Sequence, residues 1–310
     1  MPKFSIIVPV YFNESNLPTT IPALQKILTT LSPVHMDGEL IFVDDGSKDR
    51  SFEILKNFAA QDARVKLIRF VKNYGAHTAL LAGLDYATGD AIAFIMADLQ
   101  DPPELLEEMF VAWQKGSKIV IATRSEREDH LIDRIFASVF WGFMRRFALK
   151  DIPKGGFDFV LFDRAVRDIL VQMRERNSHL MTQILWTGFP PTIIPYIRRK
   201  RRLGKSKWTF SKKLKLFIDS AIAFSHVPVR AMSLLGLATA CSGFVYAFLI
   251  LLQRFRIGAP VPGWTSLIVV VLILGGLQML MLGFIGEYLW RIFDESRHRP
   301  MYVTAEKINL

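Results

Sequence analysis

The run Ala97–Asp98–Leu99–Gln100–Asp101–Pro102–Pro103–Glu104 sets three acids and an amide within eight residues. It follows an apolar stretch, Ala91–Met96, whose composition predicts a buried strand. Its two prolines permit only a turn or a first helical turn. The acids therefore gather at the C-terminal end of a strand, where open α/β sheets bind their ligands. Carboxylate and amide oxygens suit a hard divalent cation, and such cations usually hold phosphates as well. An isolated Asp-x-x-Asp is more simply a solvated turn, so the weight of this one depends on what accompanies it.

The elements around it alternate. Phe4–Val10 reads as a first strand and Leu17–Leu31 as a helix with apolar residues at helical spacing. Leu40–Val43 is a second strand ending in Asp44–Asp45–Gly46–Ser47, a sequence suited to a turn and a helix cap. Ser51–Ala60 reads as helix, Val65–Phe70 as a third strand and Ala76–Ala87 as helix. Ala91–Met96 is the fourth strand, Leu105–Gln114 a helix and Ile119–Ala122 a fifth strand. Strands spaced by helices predict a mostly parallel sheet covered on both faces.

Hydrophobic residues make up 51% of the 310, and the excess sits in two uncharged blocks, Ala231–Leu252 and Trp264–Gly286. Each is about the twenty residues that a helix needs to cross a bilayer. Neither has a polar face, which counts against two buried core helices. Lys3–Val10 is too short for a signal peptide and runs into Asn13 and Glu14 rather than a cleavage site. The front two-thirds is thus expected to stay in the cytoplasm.

Net charge is +10, and the stretch from Arg198 to Lys215 is rich in Lys and Arg with no acid. Lying just before the first apolar block, it points to anionic lipid headgroups and away from nucleic acid. Phe210, Leu214, Phe217, Ile218, Ala221 and Ile222 form one helical stripe, with Lys212, Lys213 and Lys215 off it. That pattern predicts an amphipathic helix lying in the headgroup region. Arg230, Arg291, Arg297 and Arg299 flank the outer ends of the apolar pair, against Arg254 and Arg256 in the connecting loop. The positive-inside rule then puts both termini in the cytoplasm. The single cysteine, Cys241, rules out an intrachain disulfide and a cysteine zinc cluster. Four parts are expected: a catalytic domain at 1–205, an interfacial amphipathic region at 206–229, a membrane hairpin at 230–290 and a cytoplasmic tail at 291–310.

Val8-Pro9-Val10-Tyr11, Asn13-Glu14, Asp44-Asp45-Gly46-Ser47, Ala97 to Glu104, and Gly286-Glu287-Tyr288 with Arg299-Pro300 occur in one order. In that order the chain resembles the polyprenyl-phosphate glycosyltransferases of glycosyltransferase family 2, over nearly its whole length. Bactoprenol glucosyltransferases and dolichol-phosphate mannose synthases are among them. Any one motif is weak; the ordered set is specific. The resemblance implies an α/β fold of the GT-A, Rossmann-like type, with the interfacial helix and two transmembrane helices. It implies an inverting transferase that moves one hexose, glucose favoured, from a nucleotide sugar to polyprenyl (undecaprenyl) phosphate. The product would serve modification of cell-envelope glycans. UDP-sugar is the favoured donor, with GDP-sugar the alternative. The expected location is the bacterial cytoplasmic (inner) membrane, as a multi-pass homo-oligomer.

The same resemblance assigns site residues. Pro9, Tyr11, Glu14, Asp44, Asp45, Ala97 and Asp98 would bind the nucleotide sugar, where carboxylates suit ribose hydroxyls and base N–H groups. Asp98 and Gln100 would approach a Mg²⁺ or Mn²⁺ that neutralises the diphosphate leaving group. Asp158, within Gly155-Gly156-Phe157-Asp158-Phe159, matches a catalytic aspartate alongside Asp98. Because a phosphomonoester has a second pKa of about 6, Asp158 has little proton to remove and is read as a positioning group. Arg124, Arg134, Ser138, Arg202, Ser206 and Lys207 would hold the acceptor and diphosphate, a role suited to clustered guanidinium groups. Two departures stand out: Met96 where many relatives have an acid, and Val160 where close relatives tend to have Arg. A thioether is a poor ligand for a hard cation, so a nucleotide-sugar-binding pseudoenzyme is one alternative. A processive polysaccharide synthase is the other; Gln183-Ile184-Leu185-Trp186 lacks the arginine of that class, and two spans do not readily form a polymer channel.

Overall fold

The structure, a computed structural model, describes residues 2–31, 37–124, 141–142, 144–146, 152–153, 157–175, 179–198, 227–257 and 263–310. The chain divides into two compact units, residues 1–220 with 300–310, and residues 221–299.

The first unit is built on one mixed sheet. Its strands are β1 (Lys3–Val10), β2 (Asp37–Asp44), β3 (Val65–Phe70), β4 (Ala91–Phe94), β5 (Ile119–Arg124), β6 (Phe159–Asp163), β7 (Pro191–Tyr196) and β8 (Thr304–Ile308). The spatial order is β7-β5-β6-β4-β1-β2-β3-β8. β3, β2, β1 and β4 are parallel neighbours, as are β5 and β7, whereas β6 runs antiparallel to both β4 and β5. Strands buried on both faces read as continuous apolar runs, and all but the first residue of β1 is buried.

Helices α1 (Leu17–Leu31), α2 (Ser51–Gln61), α3 (Ala76–Tyr86), α4 (Leu105–Gln114), α5 (Arg164–Met173) and α6 (Leu180–Trp186) complete this unit. Leu17, Ile21, Leu24 and Leu28 of α1 and Leu106, Met109 and Phe110 of α4 join Phe4, Ile6, Val8 and Phe159 in one core. On the other face α3 packs against β1 and β2. Gly83 makes that approach possible, since a Cβ there would lie 2.3 Å from the Ile7 side chain.

The five strands expected from sequence are present, and so are the four expected helices. Strand β4 stops at Phe94, so Met96 lies beyond it, although the Ile95 N–H still donates to the Ile7 carbonyl at 3.2 Å. Strands β6, β7 and β8 were not anticipated. β8 lies in the segment expected to be a tail and pairs antiparallel with the edge strand β3. Tyr302 just before it stacks on Phe70 at 5.0 Å and donates to Asp85 at 2.6 Å.

The second unit holds two long helices, α7 (Val227–Ile257) and α8 (Trp264–Ser296). Both are long and apolar enough to cross a membrane, over Val229–Tyr246 and Val269–Ser296. In α8 Glu287 accepts from Arg291 one turn on, at 3.0 and 2.8 Å, which lowers the cost of its charge. The expected interfacial helix falls largely on residues 199–226, outside the described residues.

Candidate active site

Two loops leave the C-terminal ends of the parallel strands β1 and β2 and are laced together. Val10 and Asp44 are register partners, and the Asp45 N–H donates to the Val10 carbonyl at 2.9 Å. The Phe12 and Asn13 N–H groups donate to Ser47 Oγ at 3.0 Å and Ser51 Oγ at 2.9 Å. Glu14 Oε2 accepts the Arg50 N–H at 3.0 Å, at the start of α2, where a carboxylate meets unpaired backbone donors. Gly46 has φ +69°, and a Cβ there would sit 2.6 Å from the Lys72 backbone. The next loop can therefore close against it only because the residue is glycine.

The two acids of this turn hold the loop itself. Asp45 accepts from the Tyr74 N–H at 2.6 Å and the Gly75 N–H at 2.9 Å, fixing the entrance to α3. Asp44 is fully buried; Oδ1 accepts the Ser47 N–H at 3.2 Å and Oδ2 faces Arg69 Nε at 3.6 Å. Burial pushes both carboxyls above the usual aspartate range, against the hydrogen bonds that oppose it. Pro9 is buried within β1, and the Tyr11 ring meets Phe12 edge-on at 4.6 Å. Phe12 lies in the left-handed region, φ +54°, a strained setting for a non-glycine residue.

The acid-rich turn follows β4. The Ala97 carbonyl accepts from Thr20 Oγ1 of α1 at 2.7 Å, and Leu99 takes φ +50°. Asp98 is half-buried, and its Oδ1 accepts the Gln100 N–H at 3.3 Å. Asp101, by contrast, is buried: Tyr196 Oη donates to its Oδ1, which also faces Arg198 Nε at 3.3 Å. The carboxylate of Asp101 is thus turned into protein as an anchor for the turn. Among the described residues no group of three or more His, Cys, Asp or Glu could hold a metal. The donor set fits a cation of the magnesium kind, which needs one or two carboxylates and takes its other ligands from phosphate and water.

Across the sheet β5 and β6 bring a cation and an acid together. Ala122 pairs with Phe159, which sets Asp158 level with the end of β5. Arg124 Nη2 donates to Asp158 Oδ2 at 2.6 Å; Arg124 is largely buried while Asp158 is half exposed. Burial works against the guanidinium charge, but Asp158, Tyr196 and Asp101 outweigh it and push the Arg124 pKa further up. Arg124 and Tyr196 are register partners in the β5–β7 pair. Nearby, His77 Nδ1 accepts the Leu180 N–H at 3.0 Å, and burial, with His179 adding, drops its pKa to about 4. Burial also lowers His179, so both rings are neutral at pH 7.

The structure thus places Pro9, Tyr11, Glu14, Asp44, Asp45, Ala97, Asp98 and Gln100 in loops or strand ends at the C-terminal ends of β1, β2 and β4, and joins Arg124 to Asp158. Arg134, Ser138, Arg202, Ser206 and Lys207 lie outside the described residues. Tyr196, His77 and His179 carry no motif, and no spacing in the sequence marks them; Arg198, read with the basic run as facing lipid headgroups, instead faces the buried Asp101 at 3.3 Å.

Residues 5–171 match Glycosyl transferase family 2. Similarity to curated relatives runs the length of the chain. The Uncharacterized glycosyltransferase YkcC of Bacillus subtilis (strain 168) is 38% identical over 309 residues, covering 99% of this chain and 95% of that protein. The Uncharacterized glycosyltransferase sll0501 of Synechocystis sp. is 35% identical over 305 residues, covering 98% and 95%. The Bactoprenol glucosyl transferase of Shigella phage SfV is 34% identical over 302 residues, covering 97% of each chain.

Proposed function

The chain belongs to glycosyl transferase family 2 and is a glycosyltransferase of the GT-A fold; from that premise we propose that it transfers one glucose-type sugar from a UDP-sugar to a polyprenyl phosphate, with inversion at the anomeric carbon. The observation that carries this reading is the extent of the match to the bactoprenol glucosyl transferase. It covers 97% of both chains, apolar helices included, rather than the catalytic domain alone.

The residues divide the work by their chemistry. The loops after β1 and β2, with Asp44, Asp45 and Tyr11, receive the nucleoside. Asp98, with Gln100 beside it, would hold a Mg²⁺ or Mn²⁺, which supplies neutralising charge to the diphosphate. Arg124 receives the acceptor phosphate. A phosphate oxygen forms the new bond to the anomeric carbon as the bond from that carbon to the diphosphate oxygen breaks, and the electron pair leaves with UDP. The acceptor is already ionised at neutral pH, so Asp158 orients Arg124 and the sugar rather than removing a proton. Most of the rate then comes from positioning and charge stabilisation.

The two long apolar helices and the excess of Arg at their outer ends support a cytoplasmic-membrane enzyme with its catalytic domain and both termini inside. Assembly as a homo-oligomer follows from the same resemblance. Met96 near the acidic turn favours one second reading, a weakly active nucleotide-sugar binder.

The test uses the full chain in nanodiscs containing undecaprenyl phosphate, offered radiolabelled UDP-glucose, UDP-N-acetylglucosamine and GDP-mannose with Mg²⁺ or Mn²⁺. Label from UDP-glucose is expected in the lipid fraction as the β-linked phosphodiester. Donor binding without any lipid-linked label would favour the binder and overturn the transferase reading.

A further inference from the structure

Tyr196 sits where three strands' contributions to the site meet. Its phenol donates to the buried Asp101 Oδ1, and it stands next to Arg124, its register partner on β5. Arg124 in turn donates to Asp158 at 2.6 Å. One hydroxyl therefore ties the turn that carries Asp98 and Gln100 to the strand beside the Arg124–Asp158 pair. An ionised carboxylate only accepts, so the phenol donates its proton to Asp101 and keeps its lone pairs for a neighbouring donor such as a guanidinium. The ring itself is held independently, buried among core side chains and edge-on to Phe159 at 6.2 Å.

A guanidinium that is to receive a phosphate needs its fork fixed before the phosphate arrives. Asp158 alone cannot supply this, because it is half exposed and engages a single Nη. Tyr196 is the buried neighbour of Arg124 on the next strand, and Asp101 holds Tyr196. Arg198, facing the same Asp101 oxygen at 3.3 Å, keeps that carboxylate in place.

We propose that Tyr196 is the positioning residue of the acceptor half of the site: its hydroxyl, pinned on Asp101, fixes the Arg124 guanidinium for the phosphate of the lipid acceptor. This rests on the reading of the acceptor as a polyprenyl phosphate. Tyr196 touches no reacting atom and acts through Arg124.

The test compares wild type and Tyr196→Phe as full chains in nanodiscs, varying undecaprenyl phosphate and UDP-glucose separately. Tyr196→Phe keeps the ring and its packing and removes the hydroxyl with its bond to Asp101. The expected result is a KM for undecaprenyl phosphate raised about tenfold, with the UDP-glucose KM unchanged and kcat within about threefold. Asp101→Asn, which leaves an acceptor for the phenol, should fall between the two. An unchanged acceptor KM, an equal rise in both KM values, or a loss confined to kcat would overturn the assignment. Thermal-shift titration with undecaprenyl phosphate reads the same difference without turnover. If wild type neither turns over nor binds the lipid phosphate, the acceptor reading fails and takes this assignment with it. If wild type does both and Tyr196→Phe matches it, only the role of Tyr196 fails.

Discussion

Arg124 and Asp158 meet across the β5–β6 pair, Nη2 to Oδ2, at 2.6 Å. An acid already bonded to a guanidinium is placed to orient it. The pair also explains how a half-exposed aspartate keeps one position beside solvent.

Asp158→Asn keeps the shape and one acceptor oxygen but loses the charge. Turnover should fall by about 10²-fold, the low end for loss of a general base. The pH–rate profile should keep its acidic limb near pH 6, set by the acceptor phosphate. Measuring kcat/KM from pH 5 to 8 decides this, and an Asn variant dead at every pH with normal donor and acceptor binding would restore Asp158 as a base.

Asp98→Ala should abolish turnover at every Mg²⁺ or Mn²⁺ concentration. Met96→Asp adds a second carboxylate near the same turn and should lower the metal concentration giving half-maximal rate. Metal titration of both variants checks this. Full activity of Asp98→Ala in EDTA would remove the metal from the reading.

Glu39 lies at the opposite end of the sheet and is 2% exposed. Burial disfavours its charge, but Lys66 at 2.8 Å and bonds from Ser5 and Thr88 outweigh that and hold its pKa below the usual glutamate value. A depressed carboxylate stabilises the fold above its unfolded pKa, and that contribution is lost as pH falls through the folded value. Glu39→Gln should cost about 1.5–3 kcal/mol at pH 7. The gap to wild type should close as the melting experiment moves below pH 4.5, the ordinary glutamate value.

Asp44 carries the opposite sign. Its pKa is raised by burial, so its ionisation opposes folding increasingly as pH climbs through the aspartate range and above. Asp44→Asn should therefore gain in melting temperature relative to wild type between pH 4 and 7, while losing affinity for UDP-glucose. A site acid that costs stability is the expected signature of a residue kept for binding.

Topology is tested by cysteine labelling in a Cys241→Ser background. Gly258→Cys, between the two apolar helices in sequence, should react with an impermeant maleimide in intact cells, and the exposed Gln61→Cys should react only after lysis. The reverse pattern would place the catalytic domain outside.

The sequence was legible where burial leaves a simple pattern. β1 to β5 are apolar runs between helices of clear periodicity, and each was readable. β7 carries Pro191 and Pro195, which argue against a strand except at a sheet edge, where it lies. β8 is a polar alternation, Thr-Ala-Glu-Lys-Ile, with no apolar run to mark it. At the site, Asp98 stood out by type and position, whereas Asp158 and Arg124 were singled out through the family resemblance. Glu14 and Asp45 were read as ligand groups, whereas in the fold their oxygens also accept backbone N–H groups. Tyr196 meets Asp101 across 95 positions of sequence, a juxtaposition that only the folded sheet creates.

The pairing of β8 with β3 joins residues on either side of both apolar helices. During synthesis the β3 edge therefore stays open until both apolar helices have left the ribosome. A soluble version of the enzyme cut after residue 198 would leave that edge bare, strip Tyr302 from Phe70, and invite strand-to-strand aggregation. Expression of the catalytic domain alone calls for residues 300–310 to be grafted back as a covalent edge strand.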